Sequence, residues 1–268
     1  MRKQWMKYLL PILMVGALVA PAAPAAAQRS QDIGQQMEQE YGVLGSNSRE
    51  GRMWNSMLDN VVDRVVGAVN SQKDQGDFRL RSAKILGGRS EKHDRVMNAF
   101  ALPDGRIYVT LGLLRALQDS QKPEDELAFV VAHEVTHVAE RHSQNQQQKA
   151  IGAGLLGAVL GAVTKSRAVD QVIGLGANAY VSHYSREDEY RADKGGLKAM
   201  HRAGYDTRYA ATMLKRLESK GESQNGFING LFGSHPLTQN RVNRVKEMSS
   251  NLEAGRNIDG KERRNRRR

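Results

Sequence analysis

Apolar and polar residues alternate along most of this chain with a helical period. From Arg49 to Val69, Met53, Met57, Val61, Val65 and Val69 recur every four residues, which predicts an amphipathic helix. Phe78 to Leu86 alternates in part, through Phe78, Leu80, Ala83 and Ile85, and reads as a strand. Two further strand-like runs flank the turn signal Pro103-Asp104-Gly105, so residues 96–110 read as a β-hairpin. Thr110 to Leu117 reads as a short helix. Pro123 followed by Glu124, Asp125 and Glu126 opens a longer one, predicted to run to about Gln147. Two helices rich in small residues follow, Ile151 to Val163 and Val169 to Tyr184. The first is too short to cross a bilayer, which needs roughly 20 apolar residues, and reads as a close-packed buried helix. Ser185 opens a helix that Gly204 ends, and Tyr209 to Leu217 reads as another. Ser223 to Phe232 is a Gly- and Asn-rich loop, a candidate mobile element, and Thr238 to Leu252 is the final helix. The pattern predicts an α+β fold, predominantly helical, with a small β-sheet whose edge hairpin packs beside the helix that starts at Pro123.

The two ends change this picture. Arg2, Lys3 and Lys7 precede an apolar run from Tyr8 to Ala20, and Ala25-Ala26-Ala27 is a small-residue cleavage site. That is the layout of a cleaved export signal over residues 1–27, with the periplasm as the expected compartment. Pro11 and Pro21 interrupt the apolar run, against a membrane anchor. Residues 28–48, polar and rich in Gln, Ser and Gly, read as a flexible lead-in. The chain has no cysteine, so it forms no disulfide and carries no lipid-anchored cysteine. Any metal ligands must be imidazole or carboxylate. The formal charge is +11, and without the three signal cations 37 basic residues face 29 acidic ones. Much of the excess sits in residues 253–268, a basic tail expected to be disordered and available for peripheral contact with a membrane or with outer-membrane assembly machinery. Export makes nucleic acid an unexpected partner.

The chemistry is carried by His133-Glu134-Val135-Thr136-His137. On a helix His133 and His137 fall on one face, one turn apart, so two ring nitrogens can reach one ion at about 2.0–2.1 Å, the zinc–imidazole distance. Glu134 points to the same place from beside the ion, where a carboxylate can take a proton from a metal-activated water. With seven histidines in the chain, accidental matches number on the order of 0.01. Ala128, Phe129, Val130, Val131, Ala132, Val135 and Val138 surround the motif, and two histidines and a glutamate buried among them need partners.

Two histidines leave a metal short of a third protein ligand. His142, His183, His201 and His235 follow in the chain, as do Glu189 and Asp193. These two carboxylates are four apart and share one helical face, so one can ligate while the other hydrogen-bonds a ligating imidazole from behind. Spacing alone leaves the choice open. Three motifs narrow it: His133 to His137, Ser185-Arg186-Glu187-Asp188-Glu189-Tyr190-Arg191-Ala192-Asp193, and Asn98 to Thr110. In this order they resemble the zinc metallopeptidases of the HtpX and CAAX-prenyl-endopeptidase family (gluzincins with a zincin-like fold), in particular its soluble, exported bacterial branch. The resemblance covers roughly 50–250, so residues 49–252 would form one zinc metalloprotease domain. It implies one zinc ion per chain, held by His133, His137 and Glu189, with Glu134 as general base and Asp193 as the partner of a ligating imidazole. His235, Pro236 and Arg241 meet the family's later H-P-x-x-x-x-R element. The multi-span anchors of the membrane branch and a helical repeat domain after residue 252 have no counterpart here.

The implied protein is an envelope endopeptidase acting on unfolded or misfolded proteins, a quality-control hydrolase. The oxyanion of such a reaction needs a donor, for which Arg241, Tyr184 and His183 are candidates, with Arg241 preferred. His235 either stabilises the transition state, or occupies the open metal position and keeps the enzyme latent, or caps the last helix. The hairpin would bind substrate as an added strand through Asn98, Ile107 and Val109. The competing class is a chaperone or assembly factor that binds unfolded chains at the sheet edge with little or no proteolysis. A third is a basic module that binds membrane surfaces.

Overall fold

The computed structural model describes residues 33–72, 76–145, 184–223, 235 and 237–259. The export signal, the two small-residue helices, the Gly/Asn-rich loop and the end of the basic tail lie outside the described residues. The described chain runs α1 (33–41), α2 (Arg49–Asn70), β1 (Ser82–Leu86), α3 (Glu91–Asp94), β2 (Ala99–Ala101), β3 (Arg106–Thr110), α4 (Leu111–Ala116), α5 (Pro123–Ala139), α6 (Arg186–Arg202), α7 (Arg208–Ser223) and α8 (Gln239–Glu253). It is the expected helical α+β arrangement with one small sheet. No helix among the described residues is long and apolar enough to cross a membrane.

The sheet has the order β1-β3-β2, with β1 parallel and β2 antiparallel to β3. Its two faces follow the pleat. Ile85, Ala99, Ile107 and Val109 face the main core, whereas Leu86, Leu102 and Tyr108 pack under α1 with Met37. The lead-in is therefore helical from residue 33. Ile33, Met37 and Tyr41 recur at helical spacing and seat α1 on the sheet. Glu38 fastens it there, accepting from the Tyr108 hydroxyl at 2.6 Å and from Lys84 Nζ at 2.9 Å.

The expected strand from Phe78 is shorter than its alternation suggests. Asn70 pairs with the Phe78 backbone in both directions, at 2.8 and 2.9 Å, and Arg81 N donates to Gly105 O, so Phe78 satisfies its backbone without a ladder. The outer edge of β1 is covered by Val43 and Leu44, the latter donating to Ile85 O at 2.9 Å. β2 is the other edge. Leu102 donates to Arg106 and Asn98 accepts from Thr110, so by the alternation of an antiparallel ladder Ala99 and Ala101 turn their backbone groups outward.

α5 is the central element. Its residues from Glu126 to His137 are all buried, under α2, α6, α7 and β2. Its N-terminus is tied to α7, where Arg216 Nε donates to the fully buried Glu126 at 2.6 Å. It ends earlier than predicted: Arg141 takes a left-handed φ of 55°, and a separate helical turn occupies 142–145. α2 buries Trp54, Leu58, Val61, Val65 and Val69, while Met53 is exposed. A strict four-residue repeat drifts round a helix of 3.6 residues per turn, so the buried stripe steps back by one residue at its start.

The hairpin turn depends on Gly105. Its φ is +89°, and an added Cβ would lie 2.0 Å from Arg79 O. Gly105→Ala should therefore cost about 2 kcal/mol or more, read as a lowered melting temperature in thermal unfolding of the purified chain.

Candidate metal centre

Three elements deliver the polar cluster. α5 presents His133 and His137 one turn apart. α6 starts at Ser185, whose hydroxyl accepts from Asp188 N while the Asp188 side chain accepts from Ser185 N, a reciprocal cap that fixes where the helix begins. Glu189 and Asp193 follow on its inner face. α6 can lie close enough because Gly196 sits against α5; an added Cβ there would lie 3.2 Å from His133 N. α8 starts at Thr238, which caps Arg241 N at 3.2 Å and sets the Arg241 side chain toward α6.

His133 Nε2 lies 3.0 Å from His137 Nε2 and 3.2 Å from His235 Nδ1. Glu189 Oε1 is 3.3 Å from His137 Nε2 and 2.8 Å from His235 Nδ1, and Glu189 Oε2 is 3.5 Å from His133 Nε2. Ligands bound at 2.0–2.1 Å to one tetrahedral ion sit about 3.3 Å apart, and these separations bracket that value. His133, His137, Glu189 and His235, all buried, can place one ligand atom each within 4.8 Å of the others. Four such atoms converging in an apolar interior form a group that could hold a cation between them. The donor set is nitrogen and oxygen with no sulfur, and it fits zinc.

The surroundings orient these groups. Asp193 Oδ1 lies 3.0 Å from His133 Nδ1, so it accepts the imidazole proton and turns Nε2 toward the cluster. Arg241 grips Asp193 with two bonds of 2.8 Å, from Nε and Nη2, and sets Nη1 2.6 Å from Glu189 Oε2. Burial opposes charge on all three. Against it, the Arg241 guanidinium and the His133 hydrogen bond hold Asp193 below its ordinary range. The His235 and His133 rings hold Glu189 well below the usual carboxylate range. His133, although buried, is raised to about 9 by Glu189 and Asp193, and burial drives His137 down. Burial also raises Glu134, whose Oε1 lies 3.4 Å from His235 Nε2.

The remaining expected residues divide. Tyr184 stacks on His137, ring centroids 3.8 Å apart, and its hydroxyl lies 2.9 Å from Ser143 Oγ. His201 is exposed on α6, away from the cluster, and His183 and Pro236 lie outside the described residues. Arg241, expected as an oxyanion donor, pairs with Asp193 and Glu189 and lines a second pocket together with Glu134 and His235. Ile107 and Val109 lie in the central strand, paired with both β1 and β2, and cannot accept a further strand; among the described residues the unpaired edge belongs to β2. Asn98 is at that edge, its Oδ1 accepting from Ala99 N at 2.9 Å. A pocket of about 50 Å³ runs beside the edge, with Phe100, Leu102 and Val138 on its apolar side and Glu134, His137 and His235 on its polar side. Sequence reasoning passed over His142 as a partner of the site. It is fully buried, with Nδ1 2.9 Å from His137 Nδ1. The only signal was its place five residues beyond a ligand candidate.

Comparison with known sequences decides the family. The family model described as Peptidase family M48 matches residues 61–249. The chain belongs to peptidase family M48. This bears out the resemblance to zinc metallopeptidases, and the M48 match spans α5, α6 and α8, the three helices of the metal centre. Among relatives, the mitochondrial metalloendopeptidase OMA1 of Schizosaccharomyces pombe is 30% identical over 58% of this chain and 44% of its own length. The beta-barrel assembly-enhancing protease of Escherichia coli is 25% identical over 92% of this chain and 54% of its own length. The metalloprotease LoiP of Escherichia coli is 27% identical over 58% of this chain and 59% of its own length. The chain thus spans about half the length of the curated relatives it matches.

Replacing Arg241 with Ala would leave the buried Glu189 and Asp193 carboxylates with only the neighbouring imidazoles against their charge. The metal-free protein should lose about 3–5 kcal/mol of stability, measured by denaturant unfolding in the presence of a chelator; an oxyanion donor would instead be dispensable to that measurement.

Proposed function

We propose that this chain is a zinc-dependent endopeptidase of the bacterial cell envelope that hydrolyses peptide bonds of unfolded or misfolded proteins. The observation that carries the reading is the convergence of His133, His137 and Glu189 at tetrahedral spacing, with Glu134 beside them in a pocket that runs along an open sheet edge. His133, His137 and Glu189 would hold the metal. Zinc bound by three protein ligands brings a water pKa of about 7 and polarises a carbonyl oxygen.

The protein's own groups do the rest. Asp193 keeps the proton of His133 on Nδ1, and Arg241 keeps Asp193 and Glu189 charged and in place. Glu134 takes the proton of the attacking water and returns it to the leaving nitrogen as the peptide bond breaks. Its carboxylate is buried and its pKa raised, which suits a base that must also give the proton back. An extended substrate would lie along β2, bonding to the outward groups of Ala101 while its side chains meet Phe100 and Leu102. Backbone pairing gives affinity with little sequence preference, which fits substrates that expose unfolded segments.

His235 supports a latent resting state. Its Nδ1 lies within ligand distance of the same point as His133 and Glu189, so it would complete the coordination and exclude water until displaced. The envelope location rests on the predicted export signal and on the Escherichia coli relative whose name records β-barrel assembly; peripheral contact with the outer-membrane assembly machinery is part of the same proposal.

Glu134→Gln should retain zinc and fold yet lose cleavage of casein by about 100-fold or more; parent-level cleavage would remove Glu134 as the base. Ala101→Pro deletes one outward N–H at an edge that tolerates proline. It should raise KM for an unfolded substrate while zinc content stays constant, whereas proline at Ile107 or Val109 would break the sheet itself. His235→Ala should increase cleavage of flexible substrates and of the chain itself. A fall in turnover at unchanged zinc content would mark His235 as a transition-state group instead.

A further inference from the structure

The two ligating imidazoles of α5 are backed differently. His133 gives its Nδ1 proton directly to a carboxylate, Asp193. His137 Nδ1 faces another imidazole, His142 Nδ1, at 2.9 Å. His142 Nε2 lies 3.2 Å from Glu140 Oε2, and Glu140 accepts from Arg191 Nε at 2.6 Å. We propose that His142 is the positioning residue of His137, the middle member of a relay Arg191–Glu140–His142–His137 that fixes the imidazole tautomer for metal binding. The proposal rests on the reading of His133, His137 and Glu189 as ligands.

The protons permit one consistent arrangement. A ligating Nε2 must be bare, so His137 carries its proton on Nδ1. That proton needs an acceptor, and the atom facing it is His142 Nδ1, which must therefore be bare. His142 then carries its proton on Nε2 and donates it to Glu140, whose charge Arg191 balances. Each link sets the next. Were His142 to hold its proton on Nδ1, two N–H groups would collide in a buried site and His137 would be driven to the wrong tautomer.

Two features independent of those distances agree. Arg141 adopts φ 55°, a conformation uncommon for a residue with a side chain; it ends α5 and brings the next residue, His142, back beneath His137. His142 itself is fully buried, yet it is not one of the four residues whose donor atoms converge. It backs His137 as Asp193 backs His133, so each of the two α5 imidazoles has its own support. The relay also joins the metal centre to the surface, because Arg191 is partly exposed on α6.

Competition between the full chain and a chromophoric chelator for zinc tests the relay, with thermal unfolding of the metal-free protein as the control. A parent chain that takes up no zinc would overturn the metal reading and the relay with it. Given a zinc-binding parent, His142→Leu should bind zinc about 10–100-fold more weakly, the usual cost of losing such a partner. His142→Asn, whose Oδ1 lies near the lost Nδ1, should stay within about threefold of the parent. Should His142→Leu fail to fold, Glu140→Ala takes its place and should weaken zinc by about fivefold or more. The relay is overturned if the folded variant of this pair binds zinc like the parent, or if His142→Asn is as weak as His142→Leu. It is also overturned if the substitutions lower only the metal-free melting temperature.

Discussion

The structure turns on a burial problem. α5 is enclosed by apolar neighbours along the turns that carry its two histidines and a glutamate, which leaves these polar groups largely out of contact with solvent. Such groups persist only if other elements bring complementary charge to them. α6 answers with Glu189 and Asp193, which are themselves too costly to bury alone, and α8 answers those with Arg241. The position of three helices is thereby tied to one small volume. Gly196, where α6 touches α5, and the caps at Ser185 and Thr238 are the local devices that let the helices meet there.

This arrangement separates two tasks that the polar residues could have shared. Arg241 holds the two carboxylates of α6. Its guanidinium matches Asp193 with two parallel bonds, a geometry that lysine cannot reproduce. Glu134, by contrast, faces the pocket, its Oε1 3.4 Å from His235 Nε2. The Arg241–Asp193 pair thus lies behind His133, while Glu134 faces the pocket beside β2.

The sheet follows the same division. β1 is covered by Val43 and Leu44, and β3 is paired on both sides, so β2 alone among the described strands offers an edge. α1 lies over the sheet face remote from α5, and its ion pair and hydroxyl bond to Glu38 hold that face closed. A short, free edge next to the metal centre carries little risk of pairing with another sheet and keeps access for an extended segment.

Much of this was legible in the sequence. The spacing of His133 and His137, the shared face of Glu189 and Asp193, the hairpin signal at Pro103-Asp104-Gly105 and the absence of cysteine each follow from local chemistry, because helix and turn geometry relate residues only a few positions apart. The family resemblance pointed to Glu189 as the third ligand, and the structure brings Glu189 to the two histidines. What the sequence could not settle were relations between distant positions. Exposure of Met53 and burial of Trp54 depend on which side α5 lies. Phe78 leaves the strand because Asn70 satisfies its backbone. Arg241 meets Asp193 and Glu189 because α8 packs against α6. The end of α5 at Arg141, the return of His142 beneath His137 and the arrival of His235 at the cluster are likewise decided by packing. A side chain's partners are set by where the whole chain folds, and the periodicity of a single segment carries no information about them.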